Sequence, residues 1–240
     1  RLLSVEQPTG HGAEAPVRAL RGKKATVVDF GPVIRNEFTI CSVTRWSGSG
    51  NPATSQRKVL HGTPIVAGSS YNWLHGHGAG DSPPAPYAGI ARYGDTWVTP
   101  QTTQVSPLTD WVVMCGSNAG AQLKLVNGVD VGTANGGIGN QNLKINGLAP
   151  FDSDFDVAEV ITWDRGLTAA ETWAAHNYLR YHVLRARAPP SPRPVPRADD
   201  RRPRLHLRAI LVRVWRGRRR AVRGSAECDR EVKKTKDCDV

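Results

Sequence analysis

Short apolar stretches recur from Ala25 to Trp163 between clusters of Gly, Pro, Asn and Ser, a spacing that predicts an all-β sandwich or barrel. Phe38, Ile40 and Ser42 alternate with Thr39, Cys41 and Val43, which predicts a strand with one apolar side at period two. Lys58 to His61, Asn72 to His77 and Tyr87 to Tyr93 are further strand segments, each bounded by Gly or Pro. The run from Trp111 to Cys115 is nearly all apolar, as expected of a central strand covered on both faces. Leu123 and Leu125 lead into Asn127-Gly128, and Val129 and Val131 follow. Asn-Gly supplies the positive φ angles of a type I′ turn, so a hairpin is predicted here. Phe155 to Trp163 gives one more long strand.

The period then changes. Thr168-Ala-Ala-Glu171 has the form of a capping box, in which the Thr hydroxyl and the Glu carboxylate satisfy free N–H groups at a helix start. Ala169 to about Leu184 therefore reads as one helix, with Ala170, Trp173, Tyr181 and Leu184 as a partly apolar stripe that must pack on the β domain. Residues 1–24 are polar and rich in Gly, Pro and charge, and read as a leader or early edge segment. The ordered domain is expected over residues 25–184.

Charge separates the chain at the same place. Up to Leu184 basic and acidic residues balance, 14 of each, whereas residues 185–240 hold 18 Lys+Arg and 7 Asp+Glu and so carry the whole net charge of +11. This Arg- and Pro-rich tail is expected to be disordered, because like charges repel and proline removes donors. Three readings of it stand: a segment that binds nucleic acid or another acidic polymer, an inert extension, and a read-through or frame-shifted product, the last two together preferred to the first. No run of about 18 apolar residues offers a membrane span. The chain starts at Arg1 without an apolar signal segment, as expected of a mature form or a fragment. Cys41, Cys115, Cys228 and Cys238 lack CxxC spacing, which argues against zinc and thioredoxin-type chemistry. Cys41 and Cys115 fall in predicted core strands and are expected to be close, with two buried thiols preferred slightly to a disulfide.

Three segments in order, FTICSVTR at 38–45, WVVMCGSNAGAQLKLVNGVDVG at 111–132 and DVAEVITWDRGLTAAE at 156–171, resemble the laminin G-like branch of the concanavalin A-like lectin/glucanase superfamily. The resemblance implies a two-sheet antiparallel jelly-roll sandwich with one C-terminal capping helix. It further implies a carbohydrate-binding or adhesion module at a cell surface or outside the cell, with a glycan or cell-surface polysaccharide as partner. Some members are glucanases, and since one fold hosts many functions the resemblance sets an expectation without identifying a site.

Two constellations could carry chemistry. Asp154, Asp156 and Glu159 loosely resemble the Glu-x-Asp-x-x-Glu motif of laminarinase-like glycosidases, in which a bulged strand turns the carboxylates to one face. The first position is Asp where the motif has Glu, and the cluster precedes the last strand, so a solvated acidic loop is preferred to catalysis. With Asp152, the carboxylates of Asp154 and Asp156 are also the candidates for Ca²⁺, which favours several oxygen ligands. Trp73, His75 and His77 alternate and so share one strand face beside Asn72. They could form a sugar platform, although buried structural aromatics are the preferred reading. Tyr93 and Trp97, flanking Gly94-Asp95, are equally good aromatic candidates. Gly116 to Gly120 and Gly132 to Gly139 lack the strand-to-helix context of nucleotide loops and read as turns. A non-catalytic binding module is thus preferred to a glycoside hydrolase or a purely structural domain.

Overall fold

The computed structural model describes residues 2–48, 57–65, 72–79 and 86–186, together with the backbone of 210–212. Two antiparallel sheets pack face to face. The first comprises, in spatial order, β1 (Leu3–Gln7), β2 (Val17–Gly22), β13 (Phe155–Trp163), β4 (Thr39–Trp46), β9 (Val112–Ser117), β10 (Lys124–Val126) and β11 (Val129–Asp130), with β14 (Ile210–Val212) beside β13. The second runs β3 (Val28–Ile34), β12 (Gln141–Ile145), β5 (Leu60–Pro64), β6 (Trp73–Ala79), β7 (Pro86–Tyr93) and β8 (Thr96–Trp97). The all-β jelly-roll sandwich with a C-terminal helix is therefore the architecture of the described residues. Residues 1–24, read as a leader or early edge segment, contain the edge hairpin β1–β2, whose β2 pairs with Phe155–Val157 of β13. Most of the basic tail, with Cys228 and Cys238, lies outside the described residues.

The strand pattern follows from which faces are covered. Ile40, Trp46, Val112, Met114, Val157 and Val160 meet Trp73, Ala88, Ala91, Tyr93, Leu143 and Ile145 between the sheets. On the outer face of the first sheet Cys41, Val43, Val113, Cys115, Leu125, Ile161 and Trp163 form a second cluster, covered by Ala13 and Val17 of the N-terminal hairpin and by Leu167, Leu179 and Leu184. Two-sided burial explains the unbroken apolar run at β9, where Val112 and Met114 point inward and Val113 and Cys115 outward. At the predicted hairpin Asn127 and Gly128 have φ of 45° and 96°, as a type I′ turn requires.

Helix α1 (Ala169–Tyr178) starts with the predicted capping box and continues as a π-helical turn, Leu179–Val183. Of the expected stripe Leu184 is buried, and the rest of the buried side differs. Thr172, His176 and Leu179 face the sheet, while Trp173 is 37% exposed. Each of the polar members has a bonded group: Thr172 Oγ1 donates to Thr168 O at 2.9 Å, and His176 Nε2 accepts from Gly128 N at 3.3 Å.

Cys41 and Cys115 are directly opposed on β4 and β9 and joined by a disulfide, with Cα atoms 4.1 Å apart. This corrects the preference for free thiols. Close cross-strand partners bring two cysteines within bonding reach, and burial at 0% exposure keeps reductant away. Alkylation in denaturant should accordingly leave Cys41 and Cys115 unlabelled until reductant is added, read by peptide mass spectrometry; labelling of both without reductant would contradict the bridge.

Candidate functional site

The first aromatic constellation belongs to the core. Trp73, His75, His77 and Tyr93 are all 0% exposed. Trp73 stacks on Tyr93 with ring centroids 5.1 Å apart. His75 Nε2 donates to Met114 O at 3.4 Å, leaving Nδ1 to accept from the Tyr93 hydroxyl at 3.0 Å. His77 Nδ1 bonds Thr44 Oγ1 at 3.2 Å across the sandwich, and its ring lies 4.6 Å from that of Trp46. Alternation does place Trp73, His75 and His77 on one face, but that face looks into the protein. They cannot form a ligand platform. Of the other candidates, Asn72 is exposed, and Trp97 is half-buried under the Arg92 guanidinium, 5.1 Å from its ring centroid.

The acidic cluster is also committed to structure. Register passes from Val157↔Thr44 to Glu159↔Val43, so Ala158 is a bulge residue and Asp156 and Glu159 do share the outer face. That face is covered. Asp156, 0% exposed, accepts from Arg21 Nε at 2.8 Å, Arg21 Nη2 at 2.9 Å and Arg45 Nε at 2.9 Å, and Arg21 also donates to Gln7 Oε1 at 2.7 Å. The network crosses β1, β2, β13 and β4. Breaking such a buried arrangement from one side typically costs about 3–5 kcal/mol, since uncompensated charge remains. Glu159 is 7% exposed. Asp154 holds Lys23 Nζ at 2.8 Å and Lys24 N at 3.0 Å, and Asp152 accepts from Leu148 N at 2.8 Å. A glycosidase needs its carboxylates in an open cleft, and these do not provide one. Among the described residues no group of three or more His, Cys, Asp or Glu could hold a metal ion, so Asp152, Asp154 and Asp156 do not form the Ca²⁺ site considered from sequence.

What the structure does assemble is a cleft of about 480 Å³ at one end of the sandwich, between the β3–β4, β9–β10 and β11–β12 connections. Asn118 fixes its shape. Its Oδ1 accepts from Phe38 N at 2.9 Å, and its Nδ2 donates to Asn36 O at 2.8 Å and Gly137 O at 3.1 Å, so one side chain ties the three connections together. Gly139 is required, because a Cβ there would lie 2.0 Å from Arg35 O. Asn36, Glu37 and Asn140 are exposed at the rim, and Ile138, 40% exposed, lies against Gly94 of the β7–β8 turn. A carboxylate, two amides and one apolar side chain on a pre-formed loop frame suit a ligand with several hydroxyls and a non-polar ring face. The sequence reading missed this cleft, treating Gly132 to Gly139 as turns. The available signal was the density of Asn and Gly in ANGGIGN at 134–140.

No family model matches the chain, and no curated protein matches it. Solved structures with some likeness include Trypanosoma rangeli sialidase, at 14% identity and a TM-score of 0.40. The same sialidase with 2,3-difluorosialic acid as a covalent intermediate gives 13% and 0.40, and its complex with sialic acid 12% and 0.39. Each alignment covers 75% of this chain and 32% of the sialidase chain, so the present chain spans about a third of that length. A likeness at this level carries no inference about activity.

Two expectations follow from the burial of the aromatic set. Trp73→Ala should cost about 3–5 kcal/mol, as loss of a fully buried indole does, whereas Trp97→Ala should cost no more than about 2 kcal/mol. Urea unfolding of both variants checks this, and a stable Trp73→Ala protein would reverse the assignment. Burial also drives the His75 and His77 pKa values from 6.5 down to about 3, so both stay neutral when folded and charge only when unfolded. Their contribution is complete above pH 6.5 and is lost as pH falls towards 3, each adding a slope of about 1.4 kcal/mol per pH unit. Urea midpoints should fall steadily as pH drops from 6.5 to 5.5, above the range of ordinary carboxylates, with His61 and His176, whose pKa values burial also lowers, adding to the slope; a flat profile would show the imidazoles protonated in the folded state.

Proposed function

We propose that this chain is a non-catalytic carbohydrate-recognition or adhesion module of the concanavalin A-like, laminin G-like kind, and that the Asn36–Glu37–Asn118–Asn140 cleft is where it takes its glycan. The observation that carries this reading is the pre-formed cleft itself, rigid at Asn118 and polar at its rim. Glu37 would accept from one or two sugar hydroxyls, and the Asn36 and Asn140 amides would both donate and accept. Ile138 would lie against the C–H face of the ring. A glycan partner at a cell surface or outside the cell fits the Cys41–Cys115 disulfide, since such bonds persist in oxidising compartments. The commitment of Asp156 to Arg21 and Arg45 supports the non-catalytic form.

Screening the full chain on a glycan array, with and without chelator, tests the proposal. Binding to a neutral or weakly acidic glycan is expected and should survive chelation. Glu37→Ala and Asn36→Ala should each weaken the best hit by about tenfold. Both residues are exposed, so stability should change by no more than about 0.5 kcal/mol. Binding that ignores both substitutions would place the ligand elsewhere, with Asn72 and Trp97 as the next residues to vary.

A further inference from the structure

β13 has different neighbours along its two edges. On one side β4 pairs with it from Phe155 to Trp163. On the other, β2 meets only Phe155–Val157, and its pairing stops before the bulge at Ala158. Past the bulge the same edge is taken by β14, with Val160 opposite Val212, Ile161 opposite Leu211 and Thr162 opposite Ile210. One edge is therefore completed by two strands from opposite ends of the chain.

Val160, Ile161 and Thr162 are buried, so the backbone N–H and C=O groups that they turn away from β4 need a partner. Exposed edges in folded proteins are commonly guarded by lysine, proline or a very short strand. Val160-Ile161-Thr162 has no such guard and consists of three β-branched residues. The occupant is matched to it: Ile210, Leu211 and Val212 are aliphatic and contain no proline. In sequence the edge is bracketed by Glu159 and Asp164 and the occupant by Arg208 and Arg213, so the two segments are of opposite charge.

We propose that Val160–Thr162 is a strand-acceptor site for an extended aliphatic peptide segment of a partner protein, and that Ile210–Val212 is the chain's own plug for it. A partner strand pairs with β13 once β14 has left. Main-chain hydrogen bonds supply the affinity in such strand addition, and the alternating side chains supply the selectivity. Belonging to the same chain, β14 has the advantage of effective concentration over a free strand, so partners with no better contacts are kept out. Its three paired residues make few contacts, so a longer or better matched strand can displace it. A second copy of this chain would bring the identical segment and gain no contact that the closed chain lacks, which favours a foreign strand over self-exchange. This stretch of the basic tail is then an autoinhibitory strand.

Two measurements on the full chain test this. In the unaltered chain the amides of residues 210–212 should exchange with deuterium at least about tenfold more slowly than in a free peptide of residues 207–214. Exchange at the free-peptide rate would overturn the proposal without recourse to any variant. The same peptide, labelled with fluorescein, then serves as the partner strand. By anisotropy it should bind at least about tenfold more tightly to the chain carrying Leu211→Pro, which removes a backbone N–H from the plug, than to the unaltered chain. Leu211→Gly, a milder change, should open the site in the same direction, and the peptide carrying Leu211→Pro should bind none of the three chains. Equal affinity for opened and unaltered chains, or no binding to either opened chain, would overturn the proposal. Concentration-dependent dimers of the unaltered chain in sedimentation, lost in Leu211→Pro, would assign the edge to a second copy and overturn it equally. Glu37→Ala should leave peptide binding unchanged, since this site does not depend on the glycan cleft.

Discussion

All eight side chains of β4, Thr39–Trp46, are shielded from water, on both faces of the first sheet. An antiparallel sheet commonly leaves one face solvated, so this two-sided burial demands a second cover beyond the opposing sheet. The N-terminal hairpin and the C-terminal helix supply it, each bringing apolar side chains onto Cys41, Val43, Ile161 and Trp163. The buried Arg21–Asp156–Arg45 network is a consequence of the same constraint: charged groups under that cover must be paired, and they are paired between neighbouring strands. The disulfide sits beneath the same layer.

This two-sided burial also governs what is legible in the sequence. β9 is legible because five nearly unbroken apolar residues would be costly on any strand with a wet face, and the β10–β11 hairpin because Asn-Gly is local chemistry. The capping box at Thr168 is legible for the same reason. β3 is not, since Gly31 and Pro32 interrupt it, and β12 is not, since only Leu143 and Ile145 in QNLKI are apolar. The helix face is misassigned from sequence, Leu184 apart, because buried positions are held by Thr172, bonded to Thr168 O one turn back, and by His176, bonded to Gly128 N of the β10–β11 turn. Periodicity ranks Trp173 above them and cannot see those partners.

The candidate residues separate along a related line. Period two correctly groups Trp73, His75 and His77, but it states only that side chains share a face and not which way the face looks. The Asp156–Glu159 pair likewise shares a face through a bulge, and the decisive fact is the pair of arginines brought by β2 and β4. The Asn118 cleft has no comparable signature. Its lining comes from segments centred near residues 36, 118 and 138, each an ordinary turn by itself, and the site exists only where they converge.

The strand order β2-β13-β4 has a consequence for how the molecule is made. β2 and β4 precede β13 by more than a hundred residues, yet β13 lies between them in the sheet. Until Phe155–Trp163 is available, the facing edges of β2 and β4 have no partner, the state in which nascent chains are prone to pair with one another. Closure must wait for an insertion between elements separated from it by more than a hundred residues, a topology that folds slowly because long loops are ordered before contacts reward them.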